Sequence, residues 1–249
     1  MQRPAASRQL GVSPPISTAS PDAAALLLSS SLEKALAQHG FRAEGSDPTL
    51  RRVVEDLEAL VVTFIHSVAL ETGLSVEQAG AAGGKLCTLG SQALGVATPG
   101  ADIDLLVLAP YFVERSHFFA DGGLGGLLRV CDGLSGLQPV QDAFVPVIKL
   151  KLHGVAVDLL FASLKLPQVP ADLSPSQEGL LLRCHSEIDV HSLNGVRVAA
   201  AIPALVPHRK HFCATLRAVK LWAQRRGMGW RPIPIPCPIP IPNPPGPDP

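Results

Sequence analysis

The chain has 249 residues, 47% of them apolar, and its 21 basic side chains are balanced by 21 acidic ones. This is enough apolar material for one large or two small cores, although charged residues, at 17%, fall below the roughly 25% usual in soluble domains. No run approaches the ~18 consecutive apolar residues of a membrane span, and the first residues, Met-Gln-Arg-Pro-Ala-Ala-Ser-Arg, lack the apolar core of a secretory signal and fit an organelle transit peptide only weakly.

Residues 1–30 are rich in Pro, Ser and Ala and begin as an arm before turning apolar at 23–28. Residues 50–70 are expected to be a helix, because Val53, Leu57, Leu60, Val61, Phe64, Ile65 and Val68 recur at spacings of three and four. A Gly-Gly-Lys-Leu-Cys-Thr lead-in at 83–88 then precedes Leu89-Gly90-Ser91. Ser91 is expected to cap a following turn, with the N–H groups of Gly90 and Ser91 facing an anion.

Asp102 and Asp104 lie in Asp-Ile-Asp-Leu-Leu-Val-Leu, a β-rich run. Period 2 sends both carboxylates to one face and Ile103 and Leu105 to the other. Adjacent carboxylates repel, so divalent cations are the natural complement of such a face. Alone, Asp-x-Asp fits a solvated strand end better; the preceding Gly-Ser turn reverses that balance in favour of the metal and triphosphate reading.

Residues 121–136 hold six glycines, and a mobile connection is expected there in place of a firm helix. Residues 144–152 and 155–161 are β-rich runs around His153-Gly154 and predict a hairpin. Val155, Val157, Leu159 and Phe161 share one face, and Asp158 points to the other. A lone acid in such a strand needs a partner. An ion pair with Lys149 or Lys151 across the hairpin and a catalytic role both meet that need.

Pro167, Pro170 and Pro175 mark residues 166–176 as loop, and Asn194-Gly195 marks 192–197 as a turn. Residues 211–226 are expected to be a helix packed through Phe212, Leu216, Val219 and Ala223, with Arg217, Lys220 and Gln224 on a cationic flank. Residues 183–231 carry nine Lys or Arg against Glu187 and Asp189. That surplus suits a nucleotide and nucleic-acid partner and equally a solvated helix face. From Pro232 onwards ten of eighteen residues are proline, which leaves a polyproline II or disordered tail. The five cysteines are widely spaced, without a Cys-x-x-Cys pair, and are read as small buried hydrophobes in a reducing compartment.

Several blocks together resemble eukaryotic poly(A) polymerases, members of the polymerase-β-like nucleotidyltransferases. They are Leu-Gly-Val-Ser-Pro-Pro-Ile-Ser at 10–17, Gly-Gly-Lys at 83–85, Leu-Gly-Ser at 89–91, Leu-Gly-Val at 94–96 and Gly-Ala-Asp-Ile-Asp at 100–104. Further on, Ala-Phe-Val-Pro-Val-Ile-Lys-Leu at 143–150, Asp-Leu-Leu-Phe-Ala at 158–162, Ser-Leu-Asn-Gly-Val-Arg at 192–197 and Leu-Arg-Ala-Val-Lys-Leu-Trp-Ala at 216–223 are similar to family blocks.

The resemblance implies an α/β (α+β) fold: a nucleotidyltransferase palm with a mixed sheet flanked by helices, followed by the beginning of a helical central domain. On that basis residues 1–49 are an N-terminal arm and helix, 50–207 the catalytic domain, 208–230 the incomplete start of the central domain and 231–249 a Pro-rich tail. It further implies AMP transfer from ATP to an RNA 3′ end, with ATP as substrate and two Mg2+ or Mn2+ ions. Asp102, Asp104 and Asp158 would be the catalytic and metal-holding carboxylates. Gly90 and Ser91 would contact the triphosphate, and Asn194 and Lys220 would lie near the nucleotide. Nuclear location, and cleavage and polyadenylation factors as further partners, follow from the family alone.

The chain departs from the family pattern at Leu89, where Phe is usual, and at Gln224, where a second lysine is usual. A tyrosine that usually follows this helix has no counterpart. Similarity stops near Gly227, so a truncated form with weak or no activity alone is expected, its last residues arising by read-through or alternative splicing. A related RNA nucleotidyltransferase with another base specificity, and a non-catalytic isoform binding RNA or processing factors, are the alternatives.

Overall fold

A computed structural model describes residues 17–41 and 47–228. Nearly all of the 10–17 block, Cys237 and the Pro-rich tail at 231–249 lie outside the described residues.

Five strands form one mixed sheet: β1 (Lys85–Leu89), β2 (Ile103–Ala109), β3 (Leu134–Val140), β4 (Val147–Leu152) and β5 (Val155–Ser163). Their order is β1-β2-β5-β4-β3, with β2 and β5 parallel and the other neighbours antiparallel. β2 and β5 take the centre because both faces of each are covered, and their runs of Leu, Val and Phe are accordingly almost continuous. The expected hairpin forms as β4 and β5. His153 and Gly154 both have positive φ, +48° and +84°, the two-residue turn whose twist matches that of its strands.

Each face of the sheet has its own core. On one, α2 (Pro48–Glu71) sets Val53, Leu57, Phe64 and Ile65 against Leu105, Val107, Leu159 and Phe161. The three-and-four spacing of residues 50–70 therefore describes a real apolar stripe. Asp47 starts the helix by accepting from the N–H groups of Thr49 and Leu50, and Pro48 occupies the first turn, where its missing N–H costs nothing. On the opposite face, α7 (Glu187–Leu205) lays Leu193 and Val196 over Leu89, Leu106, Leu108 and Ala162. Period 2 places Asp104 and Asp158 on this α7 side, beyond the edge of that second core.

Three expectations are corrected here. Residues 192–197 are not a turn; they lie within α7. Ser186 and Asp189 form a reciprocal capping box at its start, and Asp189, Ser192, Leu193, Val196 and Ala199 make its buried stripe. Gly195 is there for proximity: a Cβ on it would lie 2.9 Å from Leu89 Cδ1.

The glycine-rich stretch is ordered structure, not a loose connection. After α5 (Arg115–Phe119), α6 (Leu124–Arg129) buries Leu124 and Leu128, and β3 follows as the edge strand. A Cβ on Gly123 would lie 1.8 Å from the His117 carbonyl oxygen, and one on Gly126 would lie 1.7 Å from that of Asp121. Close backbone approach, not flexibility, accounts for these two glycines.

The third correction concerns α8 (Arg209–Arg225), which packs beside α1 (Ala23–Gln38). Phe212, Leu216 and Ala223 are half-buried as expected, but Val219 is 48% exposed, and Arg217 and Lys220 of the charged flank are half-buried as well, beside the buried Cys213. Cys87, Cys184 and Cys213 are buried free thiols, and Cys131 is a half-buried one. Burial pushes Cys87 up to about 11 and Cys184 to about 12.

Candidate active site

The candidate residues gather where β1 ends and β2 and β5 begin. Leu89, the last residue of β1, pairs with Asp104, and the chain then turns sharply through Gly90, whose φ is +62°. A Cβ at Gly90 would lie 2.4 Å from Asp104 Oδ2. The turn's backbone is thus packed onto the carboxylate, and both its conformation and its proximity demand glycine.

A one-turn helix, α4 (Gly90–Ala93), follows directly, with Leu89 as its N-cap and no side-chain capping bond. Ser91 lies inside this turn and does not cap it, contrary to expectation. The left-handed Gly90 brings the chain straight into helix, so no residue is left between strand and helix for Ser91 to cap from.

Asp102 sits one residue before β2 and is exposed; Asp104 is the second residue of β2 and half-buried. The strand therefore starts one residue later than the β-rich run suggested. Asp158 lies on β5 directly opposite Asp104 in the parallel ladder. Burial first, then the charges of Asp102 and Asp158, push the Asp104 carboxyl from its ordinary 3.8 up to about 6, against the opposing pull of Lys149 and Lys220.

Lys149 pairs with the Asp158 carboxylate, the cross-hairpin ion pair that the sequence allowed. Their register is direct, Lys149 opposite Asp158, so the symmetry of the hairpin about His153-Gly154 carried the signal for this pairing. Among the described residues no three acidic, imidazole or thiol groups already converge as a ligand set. The donors are nevertheless carboxylate oxygens, the kind that hard divalent cations take. Asp104 is pushed up first by burial, with the neighbouring charges of Asp102 and Asp158 adding to it, and a bound cation would oppose both effects. Both observations fit a divalent cation.

Lys220 reaches this cluster from α8. Its Nζ donates to the Val96 carbonyl at 3.0 Å; burial lowers its pKa, and Asp102 and Asp104 act in the opposite sense. Asn194 is half-buried on α7, next to Gly195, where that helix backs onto Leu89. Two residues outside the expected set also act on the site's framework: Cys213 and Arg217 donate to the carbonyls of Leu94 and Gly95.

Residues 11–206 match the sequence model of a family described as the poly(A) polymerase nucleotidyltransferase domain. Poly(A) polymerase pla1 of Schizosaccharomyces pombe is 41% identical over 222 residues, which are 89% of this chain and 39% of that protein. Nuclear poly(A) polymerase 4 of Arabidopsis thaliana is 38% identical over 224 residues, covering 89% of this chain and 30% of the relative. Among solved structures, the Cid1 poly(U) polymerase with MgGTP bound aligns at a TM-score of 0.48 and 16% identity, over 80% of this chain and 48% of that one. The chain thus spans two fifths or less of the length of these two curated relatives.

Proposed function

The chain belongs to the poly(A) polymerase nucleotidyltransferase family, and we propose that it forms the catalytic part of a polynucleotide adenylyltransferase that transfers AMP from ATP to an RNA 3′ end. The observation that carries this reading is the pairing of Asp104 with Asp158 beside the Gly90 turn.

In this reading the RNA 3′-oxygen attacks the α-phosphorus of ATP, one P–O bond forms as another breaks, and pyrophosphate leaves. Asp102, Asp104 and Asp158 would hold two divalent cations. Bound there, Mg2+ or Mn2+ would neutralise triphosphate charge and lower the pKa of the attacking hydroxyl. Gly90 and Ser91 place the backbone of their turn at the triphosphate, beside Asp104. Lys220 would supply a point charge for phosphate, and Asn194 would lie near the nucleotide. Lys149 pairs with Asp158, and the Asp158 carboxylate would accept a cation or the proton of the 3′-hydroxyl.

We further propose that residues 50–207 are the catalytic unit, preceded by an arm and helix at 1–49. Residues 208–230, which include α8, would begin a helical central domain ahead of a tail at 231–249. The Arabidopsis relative is described as nuclear, and the same location is proposed here, with RNA and processing factors as partners.

The test is single-nucleotide addition to a short RNA primer by the purified chain with Mn2+, offering each of the four nucleoside triphosphates separately. The proposal expects weak AMP addition that is strongest with ATP and abolished by Asp104→Asn. A preference for UTP, or equal use of all four, would assign another base specificity; activity unchanged in Asp104→Asn would contradict the site.

A further inference from the structure

Helix α8 holds the far end of the Gly90 turn. α4 closes with a Schellman pattern: Gly95 is left-handed at φ +71°, its N–H donates to Gln92 O at 3.0 Å, and the N–H of Val96 donates to Ser91 O at 2.9 Å. Three successive carbonyls then each meet one side chain of α8. Cys213 Sγ donates to Leu94 O at 3.2 Å, Arg217 donates to Gly95 O from Nε at 3.0 Å and Nη2 at 2.5 Å, and Lys220 Nζ donates to Val96 O at 3.0 Å.

Residues 213, 217 and 220 follow one helical face, so α8 lies along this segment as a three-point rest. The three points are not equivalent. A thiol is a weak donor. Lys220 sits in the field of Asp102 and Asp104 and is the side chain assigned to phosphate above, so its bond to Val96 is the one that substrate competes for. Arg217 brings two donors of a rigid plane to one oxygen, which fixes direction as well as distance. At the other end of the single turn, Gly90 has no spare room against Asp104, so a small tilt of α4 moves backbone into the carboxylate.

We propose that Arg217 is a positioning residue: by gripping the Gly95 carbonyl it fixes the Gly90–Ser91 turn against Asp104, so that α8 must be docked for the triphosphate to be held. The inference rests on the reading of that turn as the triphosphate contact. It also gives α8 a role that is independent of Lys220.

The experiment compares ATP with AMP, both in excess Mg2+, by calorimetric titration of the full 249-residue chain, with AMP measured by displacement. The turn contacts phosphates that AMP lacks. Arg217→Ala is expected to weaken ATP about tenfold, the equivalent of ~1.4 kcal/mol, and AMP less than about twofold. Arg217→Lys, a single point donor, is expected to lie between wild type and alanine. It also serves where the alanine variant does not fold, and its amide exchange is expected to quicken at Gly95 and Val96 but not in α2. Equal weakening of ATP and AMP, or unchanged ATP affinity in a wild-type chain that prefers ATP, overturns the role of Arg217 and leaves the reading of the turn standing. A wild-type chain with no preference for ATP over AMP overturns both.

Discussion

Asp104 and Asp158 stand opposite each other in the parallel pairing of β2 and β5, on the face that α7 only partly covers. Main-chain hydrogen bonding sets this proximity, so the two carboxylates cannot move apart without breaking the centre of the sheet. Asp104 is a half-buried acid that resists ionisation: burial first, then the charges of Asp102 and Asp158, push its carboxyl up to about 6.

That shift has a sign for stability. Because the folded pKa of Asp104 lies above its ordinary 3.8, the protonated acid favours the folded state below about pH 4, and that contribution fades as pH rises through about 6. Thermal melts of the metal-free chain should therefore show wild type losing ground to Asp104→Asn between those values. Mg2+ or Mn2+ should raise the wild-type midpoint at pH 7.5, where Asp104 is charged, and leave it unchanged at pH 4.5.

Gly90→Ala tests the fit of the turn. A left-handed alanine costs about 1–2 kcal/mol, and its Cβ would also press on Asp104 Oδ2 at 2.4 Å. Gly100, with φ +73° and open space around it, should lose only the backbone part. Urea denaturation of the two variants should rank Gly90→Ala as clearly less stable, and only Gly90→Ala should lower metal-dependent stabilisation.

Asp189 is 4% exposed and joins α7 to the rest of the fold. It receives the Ser186 N–H and hydroxyl and the Arg115 guanidinium, which also donates to the Phe161 carbonyl. Asp189→Ala removes one half of the capping box and leaves a half-buried guanidinium without its carboxylate, so a loss of about 3 kcal/mol is expected in urea. Replacing both members, as Arg115→Met with Asp189→Leu, should recover part of it.

Gly126→Ala should cost about 3 kcal/mol or more, because its Cβ would meet the Asp121 carbonyl oxygen at 1.7 Å. Gly136, also in the glycine-rich stretch, has nothing within 4 Å, and its alanine variant should stay within ~0.5 kcal/mol of wild type. A loose connection would tolerate both changes equally.

These glycines show where sequence reading runs out. Helix α2 and the β4–β5 hairpin were legible because their apolar periods and turn residues are local signals. The glycines at 123 and 126 answer to the carbonyls of His117 and Asp121, five or six residues earlier; that approach depends on how the chain turns between α5 and α6, so composition alone misread them as looseness. In α7 the Asn-Gly pair outweighed a capping box at Ser186 and Asp189 and a buried helical stripe, both present in the sequence. In α8 the apolar residues gave only part of the packing face: Phe212, Leu216 and Ala223 are half-buried, but the carbonyls at 94–96 also draw Arg217 and Lys220 to a half-buried position that the apolar period does not encode. The two Asp-bearing strands were readable separately. Their direct pairing joins residues far apart in the chain, and no local pattern encodes it.

The central claim is that Asp102, Asp104 and Asp158 form one cation site for a nucleotide triphosphate. Its most direct test is electron paramagnetic resonance of Mn2+ titrated into the chain with and without ATP, in wild type and in Asp104→Asn and Asp158→Asn. Protein-bound Mn2+ that tightens with ATP in wild type and is lost in both variants is the predicted result. Mn2+ binding that is absent from wild type, or undiminished in either variant, would contradict it.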